Sequence, residues 1–474
     1  MKIKLKSIMA SILCVVTLLS LAACGGDKPV STPDANTPSS TSTPNSTPVS
    51  TPEVKDEEPE QAEEISFESL GLHTDFSQGA AWIGYRETGD KSSSYGIINT
   101  EGEIIRVAEF PMMTAGSYLS DFSGGYSYFN YSNNEKRINC FTIYDSMGNI
   151  TAQSSDDFTH RILSGGGGYY LVQKDYQTMT ANELHYGVMD AHGNWIYEPT
   201  VDFLPGKGYY SGTYLGDGYF YCYAYPPEGG PRRNVLLDAK KTSSPIIEVL
   251  SEDSQFEALG LYEGSIILYE NSDYTSDDPI IHRFDADGTT TVIGTGNAAI
   301  YSRNGINYRG DYYVKFAEGV IFTGGEYADD ITGAGGGTGQ FIDMYGNIIA
   351  DYTDYKLIFN FGDGIWERLY EFVGGYAAVL IRGVDDAPYL EIIDKTGTCA
   401  FEPIRLDSVG VEKIFAGKVG CRIDGKRVWV DAQGNITDHP DANFNSSSNN
   451  TGYTVKDNQI INMDGEALSL SWAK

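Results

Sequence analysis

Residues 389–398 read YLEIIDKTGT, an apolar run ending in Asp394 with Gly397 three positions on. The phrase returns as YGIINTEGE (95–103), FTIYDSMGN (141–149), YGVMDAHGN (186–194), FDADGT (284–289), FIDMYGN (341–347), VWVDAQGN (428–435) and IINMDGE (460–466). Such a phrase can be a catalytic carboxylate, a metal loop or a turn. The turn reading is physically complete. Asp or Asn opening a type I turn accepts hydrogen bonds from the backbone just beyond it, and glycine supplies the positive φ of the bulge that closes a hairpin. Ahead of each phrase stands a glycine leading into a strand-like run: Gly79, Gly125, Gly168, Gly218, Gly264, Gly319, Gly375, Gly417 and Gly452. The turn residues are Asn99, Asp145, Asp190, Asp238, Asp285, Asp343, Asp394, Asp431 and Asn462, spaced 46, 45, 48, 47, 58, 51, 37 and 31 residues apart.

Repeats of 40–50 residues have the size of a propeller blade. Each unit reads as strand, loop, strand, tight turn, strand, rich in Ile, Val, Tyr and Phe. Connecting segments such as 106–122 have room for a fourth strand, and 66–474 carries no convincing helical periodicity. The expected class is all-β: a repeat-built β-propeller of seven to nine blades, whose closure removes exposed sheet edges. A β-solenoid or two smaller β domains are the alternatives.

Residues 415–436, FAGKVGCRIDGKRVWVDAQGNI, carry a further pattern of glycine, apolar strand, Gly-Lys, aromatic and Asp-x-x-Gly. Residues 372–403 repeat it with Phe372, Gly375, Ala377, Val379, Asp394, Gly397, Glu402 and Pro403 in order, and NWIYEPTVD (194–202) repeats the Glu-Pro tail. This order resembles the WG (Trp-Gly) repeat of bacterial proteins, across nearly all of 66–474. The Trp-Gly pair itself stands only as Tyr95-Gly96 and Tyr186-Gly187. The resemblance implies a repeat fold and an extracytoplasmic location, and no particular chemistry.

The N-terminus agrees with that location. Lys2, Lys4 and Lys6 precede an apolar stretch from Ile8 to Leu21, too short for a mature membrane span. Leu21-Ala22-Ala23-Cys24 then resembles the lipobox of bacterial lipoproteins. Residues 1–23 are therefore expected to be a lipoprotein signal peptide, with Cys24 lipidated and the membrane a partner through that lipid. Residues 24–65 form a Thr/Pro-rich, then acidic linker, STPDANTPSSTSTPNSTPVSTP at 31–52 and DEEPEQAEE at 56–64. With almost nothing to bury, it is expected to be disordered.

The formal charge of −32 argues against nucleic acid or anionic membrane surfaces as partners. Beyond the signal peptide and Cys24 four cysteines remain: Cys140, Cys222, Cys399 and Cys421. Cys399 with Cys421 is the nearest pairing, and free buried thiols are the alternative. CxxC, HExxH and GxSxG motifs are all missing from the sequence.

Function is expected in the loops that interrupt the repeats, because variable loops on a rigid scaffold are where binding concentrates. They are RETGDKSSS (86–94), KDYQTMTANELH (174–185), PPEGGPRR (226–233), NSDYTSDDP (271–279), GGEYADDITGAGGGTG (324–339) and GVDDAP (383–388). Candidate binding residues are Tyr176, Tyr274, Asp277, Asp278, Glu326, Tyr327, Asp329 and Asp330. GAGGGTG (333–339) lacks the lysine and Ser/Thr of a phosphate loop. Asp285-Ala286-Asp287-Gly288 lacks the later acidic ligand of a calcium loop. No cofactor and no metal is expected. The reading is a monomeric, membrane-anchored binding or scaffold protein that contacts protein or glycan. The alternative is a glycan hydrolase using rim carboxylates.

Overall fold

The structure, a computed structural model, describes residues 65–473 other than 112, 114–116, 134–137, 156–158, 175–183, 201, 205–208, 226–232, 242, 244–245, 251–254, 272–279, 296–299, 304–305, 310–311, 328–333, 353–356, 361–368 and 445–450. The signal peptide, Cys24 and the linker up to residue 64 lie outside the described residues.

Strands in the middle of each repeat are buried on both faces. In Tyr376–Arg382 four successive residues, Ala377 to Leu380, are fully buried, and Ile138–Asp145 and Arg233–Asp238 behave alike. A strand buried on both faces needs a layer on either side. Last strands are more open: Ile436–Asp438 is exposed throughout, and Glu103–Arg106 and Ile150–Gln153 each bury one residue. Each repeat is thus a small sheet pressed between two others, with its last strand at the outer edge.

Sheet pairing gives that order directly. Unit 1 (67–106), unit 2 (118–153), unit 3 (160–200), unit 4 (209–250) and unit 5 (255–295) each contain a four-stranded antiparallel meander in chain order. Unit 6 (312–351) follows the same plan and is joined to unit 7 (369–405) by Leu357–Asn360, which pairs with strands of both. Units 8 (407–438) and 9 (452–467) are shorter, pairing Lys418–Ile423 with Lys426–Asp431 and Thr454–Lys456 with Gln459–Ile461. First strands of units 3, 4, 5 and 6 touch in succession, so they lie where the units converge.

Apolar clusters fill the space between consecutive units. Trp82 meets Phe129 and Tyr144 between units 1 and 2. Tyr219 and Leu236 meet Leu268 and Phe284 between units 4 and 5. Trp429 meets Phe444 and Met463 between units 8 and 9. The last interface joins the chain's two ends: Leu70 and Ile83 of unit 1 pack with Ile460, Leu468 and Trp472. The ring is closed, and the architecture is an all-β propeller of nine units among the described residues.

Closure is completed by a strand from the far end of the sequence. Ser471–Trp472 runs parallel to Glu103–Arg106 as a fifth strand on the outer edge of unit 1. Ser471 N–H donates to the Gly102 carbonyl at 3.0 Å and Ala473 N–H to Ile104 at 2.9 Å. The Arg106 guanidinium sits 3.8 Å above the Trp472 ring, which also meets Phe67 and Tyr85.

Unit 8 and the segment that follows it are tied by an ionic cluster around the buried Glu412 carboxylate. The Glu412 carboxylate accepts hydrogen bonds from Arg427 and, at 3.2 Å, from Nε2 of His439. Gly420 makes room for it: a Cβ there would lie 2.7 Å from the Glu412 carboxyl carbon. His439 Nδ1 accepts the Asp441 N–H at 3.0 Å, so the neutral ring carries its proton on Nε2. The ring is 4.4 Å from Trp429, and Arg427 also reaches Asp441 at 3.4 Å. Lys456 holds the Pro440 carbonyl at 2.8 Å. Burial first, and then the Arg427 guanidinium, pushes the His439 pKa down to about 4 against the pull of Asp441.

All four cysteines are free, and the pairing of Cys399 with Cys421 is not formed. Burial pushes the thiols of Cys222 and Cys421 up to about 12. They act as small apolar core residues.

Two outcomes follow from the closing elements. Trp472→Ala removes a half-buried aromatic and its cation–π partner, and should lower stability by about 2 kcal/mol in chemical denaturation. At His439 the unfolded chain takes up its proton near pH 6.5 and the folded chain only near 4. Stability should therefore be full above pH 6.5 and decline as pH falls toward 4. His439→Gln, which can still donate to Glu412 and accept from Asp441, should reduce that decline.

Candidate binding face

Antiparallel strands in chain order put alternate connections at opposite ends of a unit. The connection from first to second strand and that from third to fourth share one end. The connection from second to third strand shares the other end with the crossing to the next unit.

The first end consists of tight turns. The opening hairpins of units 1 to 8 close on two residues that both have positive φ, as in the type I′ turn that matches strand twist. Gln78-Gly79 (φ 53° and 83°), Asp217-Gly218 (45° and 77°) and Glu318-Gly319 (51° and 82°) are examples. Asp217 pairs within its own unit with Lys240 at 2.6 Å, whereas Gln78 and Glu318 reach the next unit. Gln78 Oε1 accepts the Gly125 N–H at 3.0 Å. Glu318 accepts those of Gly374 and Gly375 at 2.6 and 2.9 Å, and pairs with Lys395 at 3.1 Å.

The repeated Asp/Asn residues form the other turns at this end. Asp394 Oδ1 accepts the N–H groups of Thr396 (2.8 Å) and Thr398 (3.1 Å), and its carbonyl accepts the Gly397 N–H at 2.9 Å. Asp145, Asp190, Asp343 and Asp431 do the same and also bind the side-chain amide of an Asn four residues on, at 2.7–3.0 Å. Asn99 and Asn462 reverse the roles, donating to Glu103 and Glu466 at 3.1 and 3.0 Å. The Thr396 hydroxyl, against a small burial cost, holds Asp394 below the ordinary carboxylate range, with the Thr398 and Thr396 amides adding to it. These carboxylates are engaged, so the recurring phrase is a turn.

The second end carries the divergent connections: 88–93, 134–137, 175–184, 226–232, 272–279, 328–333 and 383–387. Units 8 and 9 close the same connection with only Asp424-Gly425 and Asp457-Asn458, all at positive φ. The longer connections therefore belong to units 1 to 7, and the strands that flank them end at one end of the ring. Of the candidate residues, Tyr176, Tyr274, Asp277, Asp278, Asp329 and Asp330 lie outside the described residues. Glu326 and Tyr327 require a correction. The stretch expected to be one loop, 324–339, is mostly strand: Val320–Tyr327 pairs with Ala334–Asp343, Glu326 opposite Gly337 and Tyr327 opposite Gly336. The glycines of GAGGGTG pair on their other side with Leu357–Asn360. Backbone pairing, not composition, decides this segment.

A polar group that the sequence did not signal lies between units 4 and 5, near the strand ends Asn271 and Ile280. His282 Nε2 stands 2.6 Å from Glu270 Oε2, with 14% and 18% of the side chains exposed. Register explains the meeting: His282 faces Leu268, so Glu270 two residues along the same strand is its diagonal neighbour on that face. Phe256 flanks the imidazole, and the buried Tyr221 hydroxyl binds the Phe256 carbonyl and lies 2.8 Å from Asn234. A carboxylate beside an imidazole fixes the orientation of its ring.

No known family matches the sequence, and no curated protein does. Solved structures resemble it at low identity. A structure described in an analysis of two prolyl endopeptidases is 12% identical with a TM-score of 0.41, over 77% of this chain and 53% of that one. A eukaryotic initiation factor is 11% identical with a TM-score of 0.42, over 80% and 89%. Prolyl oligopeptidase B from Galerina marginata is 10% identical with a TM-score of 0.38, over 76% and 55%. The chain spans about half the length of the first of these.

The turn carboxylates should contribute a small stability at neutral pH that acid removes. In Asp431, burial works against ionisation, but the Asn435 side chain and the Asn435 and Gln433 amides outweigh it and keep the pKa low. Its stabilisation is present above the unfolded carboxylate pKa and is lost as pH falls through the folded one. Asp431→Asn can still accept both amides. It should change stability at pH 7 by less than about 0.5 kcal/mol and make acid unfolding below pH 4 less steep.

Proposed function

We propose that this chain is a lipid-anchored, extracytoplasmic binding or scaffold protein of the WG-repeat lipoprotein type. Cys24 is the acylation site, residues 24–65 are the tether, and the loop end of the propeller contacts a protein or glycan. The observation that supports this most is the segregation of the two ends. Tight turns staple units together at one end, and the connections of divergent length gather at the other. A ring held rigid by its turns can present unrelated loops without losing its core. The His282–Glu270 pair gives that end a polar group positioned by strands rather than by loops.

The test shortens connections 175–184, 226–232, 272–279 and 328–333, one at a time, to the Asp-Gly pair that unit 8 uses. At least one variant should keep its denaturation midpoint and lose capture of cell-envelope protein or glycan. Incorporation of labelled palmitate should vanish in Cys24→Ala. Turnover of a polysaccharide, lost in Asp278→Asn or Asp329→Asn, would establish the hydrolase reading instead.

A further inference from the structure

We infer that the flank between units 1 and 2 holds a binding cleft for a neutral glycan, apart from the variable loops of units 3 to 6. After the fourth strand of unit 1 the chain runs through Val107 to Met113 toward unit 2, placing Phe110 and Pro111 between them. The Phe110 ring lies nearly parallel to Tyr95 (4.3 Å, 24°) and to Tyr144 (6.0 Å, 23°), and is tilted against Trp82 and Phe129. The Tyr144 hydroxyl donates to the Glu109 carbonyl at 2.8 Å and pins the segment. A cavity opens on either side of this ridge. One of about 450 Å³ is bounded by Ser93, Ser94, Tyr95 and Met113. Another of about 220 Å³ is bounded by Glu109, Thr142 and Gln153. Phe110 and Pro111 line both, so the two form one trough with a central aromatic and proline saddle.

Its chemistry selects the ligand. Among the described residues that line it none is Lys, Arg or His, and Glu109 is the charged one. In a protein of charge −32 an anionic ligand would meet repulsion with nothing to offset it. The walls are aromatic side chains, proline and methionine. The margins carry hydroxyls, a carboxylate and a carboxamide. A pyranose has the complementary form: an apolar C–H face with a rim of hydroxyls that donate and accept. An extended proline-rich peptide would also suit aromatic walls, but its prolines carry no N–H for the Glu109 carboxylate to accept, whereas sugar hydroxyls donate to it.

The experiment titrates the full chain, in detergent, with neutral hexasaccharides of glucose, mannose, galactose and N-acetylglucosamine, followed by calorimetry. At least one should bind. The double variant Glu109→Ala/Gln153→Ala alters two exposed side chains and should weaken that binding by about tenfold or more at an unchanged denaturation midpoint. Phe110→Ala should abolish binding. Because it also opens the core, the double variant is the deciding one. The variants with shortened loops in units 3 to 6 should bind as the parent does, so this inference and the loop-end reading fail separately. No binding of any of the four sugars, binding indifferent to the double variant, or binding of a polyproline peptide in their place would overturn it.

Discussion

A four-stranded sheet whose middle strands are apolar on both faces cannot be covered by one neighbour. That constraint shapes the whole molecule. Ala377 to Leu380 are fully buried because units 6 and 8 lie on either side of unit 7. Each unit imposes the same demand on the next, and a linear stack would leave two faces uncovered at its ends. Joining the ends removes both. The chain therefore places Ile460, Leu468 and Trp472 against Leu70 and Ile83, more than 370 residues away in sequence, and lays its last strand along unit 1. Units 8 and 9, short as they are, complete the circle.

The acidic residues follow from the same economy of form. A ring of hairpins needs many turns, and each turn leaves backbone N–H groups that must be satisfied. Asp and Asn meet that need locally. The exchange between Asp145 with Asn149 and Asn99 with Glu103 is instructive. Either order places a carboxylate against an amide across the same bulge. What recurs is the pairing and not the acid, which is why the repeated Asp is a poor guide to chemistry.

The repeat and its turns were legible in the sequence, because a type I turn with a bulge leaves Asp and Gly at fixed separation. The strand-opening glycines were also visible, but their role was not. Gly79 is the second residue of a mirror-image turn whose first residue is Gln78 at φ 53°, and nothing in a glutamine announces a left-handed backbone. The reading of 324–339 as a loop failed because glycine normally weakens strands, whereas here Ala334–Asp343 is paired on both sides. Cys399 and Cys421 are close in sequence, yet they are free, and Cys421 is buried. Glu270 and His282 are 12 residues apart, and only the hairpin register makes them neighbours. Of the eight loop residues nominated from sequence, six fall outside the described residues, and the two others belong to a strand.

Loop length is the remaining variable, and the closed ring explains why it can vary. Lengthening a connection costs closure entropy that grows only with the logarithm of its length, provided the strands it joins are already held. Here they are held by neighbours on both faces and by turns at the opposite end. Unit 8 shows the minimum, Asp424-Gly425, and unit 3 needs no different core to carry 175–184. Stability resides in the interfaces and the turns. The loop end and the trough beside Phe110 are the places where sequence can change its chemistry without asking the ring to refold.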